Sequence, residues 1–233
     1  MLTQRSNQPE LMDDLNLSGE ELRRNLQELE VINNWLGGHK VILDALGQLM
    51  QLQPDRVYRI ADIGCGGGDT LKSIASWADK KGIKVNLTGV DANEFMVNYA
   101  RRQCSSFNNI RIEQHDVFSP VFAQEQYDII VCSLFCHHFT DTQLIRMFRQ
   151  LHQQAQQAVI INDLHRHWLA YYSIKYITAA FSGSRLVKHD APLSVWRAFK
   201  RNELERLVEQ AEIQDYSLCW MWAFRWQLIL YKR

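Results

Sequence analysis

The sequence predicts an α/β protein built on a doubly wound sheet, and three observations predict it. Residues 57–63, VYRIADI, have the β-branched and aromatic bias of a buried strand. They break into Gly64, Gly66, Gly67 and Gly68 and continue as TLKSIASWADKK, where Leu71, Ile74, Ala75 and Ala78 fall on one helical stripe. Strand-like runs at 84–93, 109–114, 127–134 and 158–163 then alternate with helical patterns, as the units of a wound sheet require. Two last runs, DYSLCW and FRWQLILYKR, close the chain as an antiparallel hairpin and bring the strand count to seven.

The totals narrow the function classes. A chain of 233 residues buries a full core as one domain with an appendage. Lys plus Arg and Asp plus Glu both number 26, so no charge footprint points to nucleic acid or to an anionic membrane surface, and a small or neutral partner is expected. The first residues lack the apolar core of a signal peptide, and no run of 18 apolar residues occurs; a soluble, cytoplasmic protein without membrane insertion is expected. Five cysteines at irregular spacing argue for reduced thiols, with Cys132 and Cys136 as small apolar residues of a core. The oligomeric state leaves no mark in the sequence.

In chain order, residues 1–17 are polar and read as loosely held. Ser18 to Glu21 reads as a capping box, and Leu22, Leu26, Leu29 and Leu36 continue a helical stripe to Gly37-Gly38. A second helix puts Ile42, Ala45, Leu46 and Leu49 on one face and stops before Pro54. The glycine turn follows. In a dinucleotide fold its sixth position is a third glycine, and a pyrophosphate rests on the helix N-terminus. Here that position is Asp69, with Asp62 just ahead of the turn, and two carboxylates would repel a pyrophosphate. They suit a ligand without phosphates that carries positive groups, such as S-adenosylmethionine (SAM) with its sulfonium and α-amino group.

The run Asp62-Ile-Gly-Cys-Gly-Gly-Gly68 resembles motif I of the class I SAM-dependent methyltransferases, and the resemblance spans about residues 55–233. It implies a Rossmann-like seven-stranded sheet with a terminal antiparallel strand, with SAM as cofactor held at Asp62, Gly64, Cys65, Gly66 and Asp69. Asp91, with Ala92, ends the second strand, where an acid accepts two hydrogen bonds from vicinal ribose hydroxyls. Asp91 also reads as an N-cap for the following helix. Asp116 and Val117 match the family position where an acid meets the adenine amino group and an apolar neighbour packs on the ring.

The fourth strand runs into Ser133 and then Phe135-Cys136-His137-His138-Phe139, and ligands of wound sheets lie beyond such strand ends. Thr140 to Gln143 offers a second capping signature. Adjacent residues point in different directions, so His137 and His138 are not expected to share a metal ion, and at most one faces the site as a general base. The fifth strand ends in His165 and His167, read as proton acceptors or substrate-orienting groups. With no carboxylate pair nearby, no metal is expected. The stretch 168–200 resembles the place where small-molecule methyltransferases build a helical lid, and Trp168, Tyr171, Tyr172 and Trp196 are candidates for an apolar pocket wall. Asn202 reads as the cap of the helix after it.

These expectations divide the chain into an N-terminal helical cap, 1–54, and a SAM-binding domain, 55–233, with an insertion at about 168–200. The leading reading is a SAM-dependent methyltransferase acting on a small apolar acceptor, most readily an aromatic or polyketide-like hydroxyl. An NAD(P)-dependent oxidoreductase is the alternative on the same corner, disfavoured by Asp69; a non-catalytic SAM-fold partner subunit is the alternative from another class.

Overall fold

The computed structural model describes residues 2–53 and 55–232. Helices α1 (Glu20–Trp35) and α2 (Gly38–Leu49) lead into strand β1 (Val57–Ile63), the glycine turn and α3 (Asp69–Lys81). Next come β2 (Lys84–Asp91), α4 (Glu94–Gln103), β3 (Ile110–Gln114), β4 (Tyr127–Ser133), α5 (Asp141–Gln154) and β5 (Ala155–Leu164). Helices α6 (Trp168–Phe181), α7 (Arg185–Arg197) and α8 (Arg201–Gln210) precede the closing strands β6 (Tyr216–Met221) and β7 (Arg225–Tyr231). The sheet order is β3-β2-β1-β4-β5-β7-β6; β7 runs antiparallel to both β5 and β6, and the other neighbours pair in parallel.

The alternation of side chains divides the core into two layers. Tyr58, Ile60, Ile129, Val131, Ala158, Ile160 and Ile229 face α2, α3 and α4, while Ala61, Ile63, Ile130, Cys132, Val159, Ile161 and Leu228 face α5 and α8. Ile42, Ala45 and Leu46 of α2 are fully buried in the first layer, so α2 is a structural helix of the sheet. Each such aliphatic side chain contributes about 1.5–3 kcal/mol on burial.

Four capping expectations resolve differently. Thr140 and Gln143 form the reciprocal capping box of α5. The box at Ser18 does not form: α1 starts after Gly19, at φ 93°, so the N-cap position falls on a residue without a side chain to cap with. Helix α8 starts at Arg201 after Lys200, so Asn202 lies inside it, and Glu203 accepts the Lys200 N–H. In α4 the cap is Asn93, which accepts the Met96 N–H, and Asp91 is left to other partners. The expected helix stop at Pro54 lies outside the described residues; α2 ends at Leu49.

The N-terminal segment is the largest departure from expectation. Residues 2–17 form a strap across the carboxyl edge of the sheet, held by charged side chains that a reading of polarity alone assigns to solvent. Arg197, 7% exposed, donates to the carbonyls of Gln8, His137 and His138 and to Asp13 Oδ2 at 2.6 Å. Asp190 accepts the N–H groups of Leu11 and Met12, and Arg5 donates to Asp141 at 2.8 Å and to the carbonyls of Arg197 and Phe139. Buried charges hold only when paired, and here each pairs with the strap.

Replacing Arg197 with Met should therefore destabilise the protein by about 3 kcal/mol in urea unfolding and expose Arg5 to trypsin in the native state. A loss below about 0.5 kcal/mol, with the strap still resistant, would show that the strap is held by something else.

Candidate active site

The carboxyl ends of β1, β2 and β4 open onto a cavity of about 780 Å³, roofed by the strap, α1, α6 and α7. That volume and its mainly apolar lining suit a ligand pocket. All ten residues expected at the cofactor, Asp62, Gly64, Cys65, Gly66, Asp69, Asp91, Ala92, Asp116, Val117 and Ser133, line it.

The glycine turn is built by the end of β2. The N–H groups of Gly64 and Cys65 donate to the Val90 carbonyl at 2.8 and 3.1 Å. Gly64 has φ +70°, and a Cβ there would stand 2.1 Å from the Phe135 ring, so only glycine fits. Asp91 accepts the Gly66 N–H through Oδ2 and the Asn93 N–H through Oδ1, both at 3.0 Å; each oxygen keeps a lone pair for a further donor. Burial pushes the Asp91 carboxyl above its ordinary range despite those bonds.

The three acids of the turn have different lives. Burial would raise Asp69, but the hydrogen bond from His39 (2.7 Å) and that from Asn33 (3.2 Å) hold it below the usual carboxylate range. Asp69 therefore pins α1 and α2 to the glycine turn, a use that sequence reasoning did not assign to it. Asp62, 1% exposed, has no such partner: its Oδ1 accepts no hydrogen bond. Burial, then the neighbouring Asp69 and Asp91 charges, push its carboxyl well above the ordinary value. Among the described residues no hydrogen bond or ion pair brings a positive group to Asp62.

At the end of β4, Cys136–His138 form a single 3-10 turn. His137, 3% exposed, bonds through Nδ1 to Asp163 at 2.8 Å, and its backbone N–H donates to the other Asp163 oxygen. Burial would raise Asp163, but the His137 ring holds it below the carboxylate range. His137 Nε2 points at Glu10 Oε1, 3.7 Å away, and that oxygen is buried without a hydrogen-bond partner. His138 bonds through Nδ1 to Asp13 at 2.6 Å. The tight turn brings the two rings to 4.3 Å, correcting the expectation that adjacent histidines diverge. Glu10, His137 and His138 place ligand atoms within 4.8 Å of one another, the one such set among the described residues that could bridge a metal ion. Arg197 Nε, 3.7 Å from Glu10 Oε1, already supplies a positive charge there.

Glu10 is the residue that sequence reasoning missed. Ser194 donates to its Oε2 at 2.8 Å, and burial pushes its carboxyl up to about 7. The only sequence signal was an acid flanked by Pro9 and Leu11 in a segment otherwise read as solvated.

His165 and His167 stand elsewhere. Trp220 donates to His165 Nδ1 at 3.3 Å, and His167 Nδ1 accepts the Leu169 N–H to cap α6, its ring stacked on Phe224 at 5.1 Å. Neither lines the cavity. The same holds for Trp168, Tyr171, Tyr172 and Trp196: α6 lines the cavity with Ala170, Ser173, Ile174 and Ile177 while Trp168, Tyr171 and Tyr172 fall outside that stripe, Trp168 being 61% exposed, and Trp196 on α7 donates to the Gln4 carbonyl of the strap.

Comparisons with known proteins agree with this geometry. Residues 60–158 match the family model described as a methyltransferase domain. "Uncharacterized methyltransferase YcgJ" of Bacillus subtilis (strain 168) is 33% identical over 86 residues, which is 36% of this chain and 32% of that protein. Among solved structures, the plantazolicin methyltransferase BpumL in complex with SAH superposes with a TM-score of 0.61 at 17% identity, covering 91% of this chain and 99% of that one. The CurJ carbon methyltransferase gives a TM-score of 0.60 at 14% identity over 83% and 52% of the two chains. The chain shares the fold of these solved methyltransferases. The matched segment runs from β1 into β5 and includes the glycine turn, and over that span the chain is similar to a methyltransferase domain. No helix among the described residues is long and apolar enough to cross a membrane.

Glu10 sets a pH signature. Its carboxyl titrates at about 7 in the fold against an ordinary 4.5, so the stability of the protonated form is complete below about pH 4.5 and is lost as pH rises through 7. Thermal midpoints of Glu10→Gln and wild type should thus converge near pH 5, with the variant the more stable at pH 8; equal midpoints at both pH values would contradict the burial account.

Proposed function

We propose that the protein binds SAM along the carboxyl ends of β1–β3 and transfers its methyl group to a hydroxyl of a small, largely apolar acceptor. The observation that carries the reading is the buried Asp62 carboxylate with an unmet oxygen beside a glycine turn. A phosphate ligand would add like charge there, whereas the cationic groups of SAM complete it. Asp91 suits the ribose hydroxyls, and Asp116, whose Oδ1 accepts the Phe118 N–H, with Val117 suits the adenine. When bound, SAM supplies an electrophilic methyl carbon on a sulfonium sulfur.

The chain's own part is positioning and proton transfer. Methyl transfer gains most from alignment and exclusion of water, which the strap, α6 and α7 provide. A hydroxyl attacking the methyl carbon must lose its proton. Asp163 engages His137 at Nδ1, which leaves Nε2 directed at Glu10 on the cavity wall as the nitrogen to accept that proton. Glu10 then stands within reach as the next site for that proton. His138, tied to Asp13, closes the same wall. The aliphatic face of α6, with Leu26, Leu29 and Phe139, supports an apolar acceptor.

His137→Ala should lower kcat by about 10²–10⁴-fold while SAH binding, measured by calorimetry, stays within twofold of wild type. Wild-type turnover in His137→Ala on a phenolic panel would overturn the general base, and absence of SAH binding in wild type would overturn the donor.

A further inference from the structure

Five described residues hold buried side-chain atoms without a hydrogen-bond partner: Glu10, Asn25, Asp62, Asn162 and Arg225. Three of them share one face of the sheet. Asp62 lies opposite Val131; two residues on, Ser133 lies opposite Asn162; two residues further, Leu164 lies opposite Arg225. Cross-strand partners and alternate residues keep one face, so Asp62, Asn162 and Arg225 form a row along the carboxyl edge. It is the face covered by α2, where Asn162 donates to the Gly38 carbonyl at 3.2 Å. Asp163 and its histidine occupy the other face.

Arg225 is the anomaly of the row. It is 2% exposed and lines the cavity, yet only Nη2 has a partner, Asn33 Oδ1 at 3.1 Å; Nε and Nη1 have none. No carboxylate among the described residues forms an ion pair with it. A buried guanidinium without an anion costs several kcal/mol, and its planar fork of free N–H groups matches a carboxylate. Asn33 also donates to Asp69 at the start of α3, so the free guanidinium lies two hydrogen bonds from the glycine turn. The cavity thus presents an unmet carboxyl, Asp62, and an unmet cation, Arg225, on one edge.

We propose that Arg225 is a carboxylate receptor, and that the carboxylate it takes is that of the methionyl end of the donor, whose α-amino group goes to Asp62. The assignment rests on the donor reading above and adds to it the residue that selects the amino-acid end of the molecule. Arg225 is a binding residue, on the opposite face of the sheet from Asp163 and His137.

Calorimetry with two ligands tests it: SAH, and its decarboxylated analogue 5′-deoxy-5′-(3-aminopropylthio)adenosine, which keeps nucleoside, sulfur and amine. Wild type should bind SAH about 10- to 100-fold more tightly than the analogue. Arg225→Gln should lose that factor for SAH and keep the analogue within twofold, and Arg225→Lys should recover part of it. Equal loss for both ligands would assign Arg225 a structural role and overturn the proposal, as would a wild type that does not distinguish them. Unchanged SAH affinity in Arg225→Gln, with Arg225-dependent binding of benzoate to the SAH-saturated protein, would overturn the donor assignment and move the carboxylate to the acceptor. Binding of neither nucleoside ligand to wild type would overturn the donor reading itself.

Discussion

The structure depends on a carboxylate kept where a carboxylate is unfavourable. Asp62 ends β1 inside the sheet, with Asp69 and Asp91 as neighbours and one oxygen unbonded. Asp69 is hydrogen-bonded to His39 and Asn33, and Asp91 is occupied by the Gly66 and Asn93 amides. Only Asp62 remains for a positive group from outside. A fold optimised for stability alone would place an amide or an apolar residue there.

The two faces of the sheet edge hold two separate sets of charged groups. On the α2 face, Asp62 and Arg225 mark opposite charges set one beyond the other across β1, β4, β5 and β7. On the α5 face, Asp163 orients His137 toward Glu10. The glycine turn and the β4 end meet between them, where Gly64 lies against the Phe135 ring. The strap closes this arrangement, since Arg197 ties Asp13 and Gln8 to the carbonyls of both histidines.

Much of this was legible in the sequence because its causes are local. Strand runs, the glycine turn and the acids at strand ends follow from neighbouring residues, and the ten expected cofactor positions all reach the cavity. What was not legible arises from contacts far apart in the chain. Glu10 is buried by Ser194 and Arg197, residues more than 180 positions away. Arg225 reads as an ordinary strand residue until its pairing with Leu164 turns it into the cavity. The aromatics of α6 misled because composition announces a pocket wall, while helical phase sends them outward. Asp69 was read as a ligand-facing charge because His39, thirty residues earlier, gives no sign of reaching it.

The central claim is that Asp62 is retained for a cationic ligand at the expense of stability. Asp62→Asn keeps the shape and removes the charge, so its unfolding midpoint at pH 8 should rise above that of wild type while SAH affinity by calorimetry falls about tenfold or more. An Asp62→Asn protein that binds SAH as wild type does, or that gains no stability, would contradict the account.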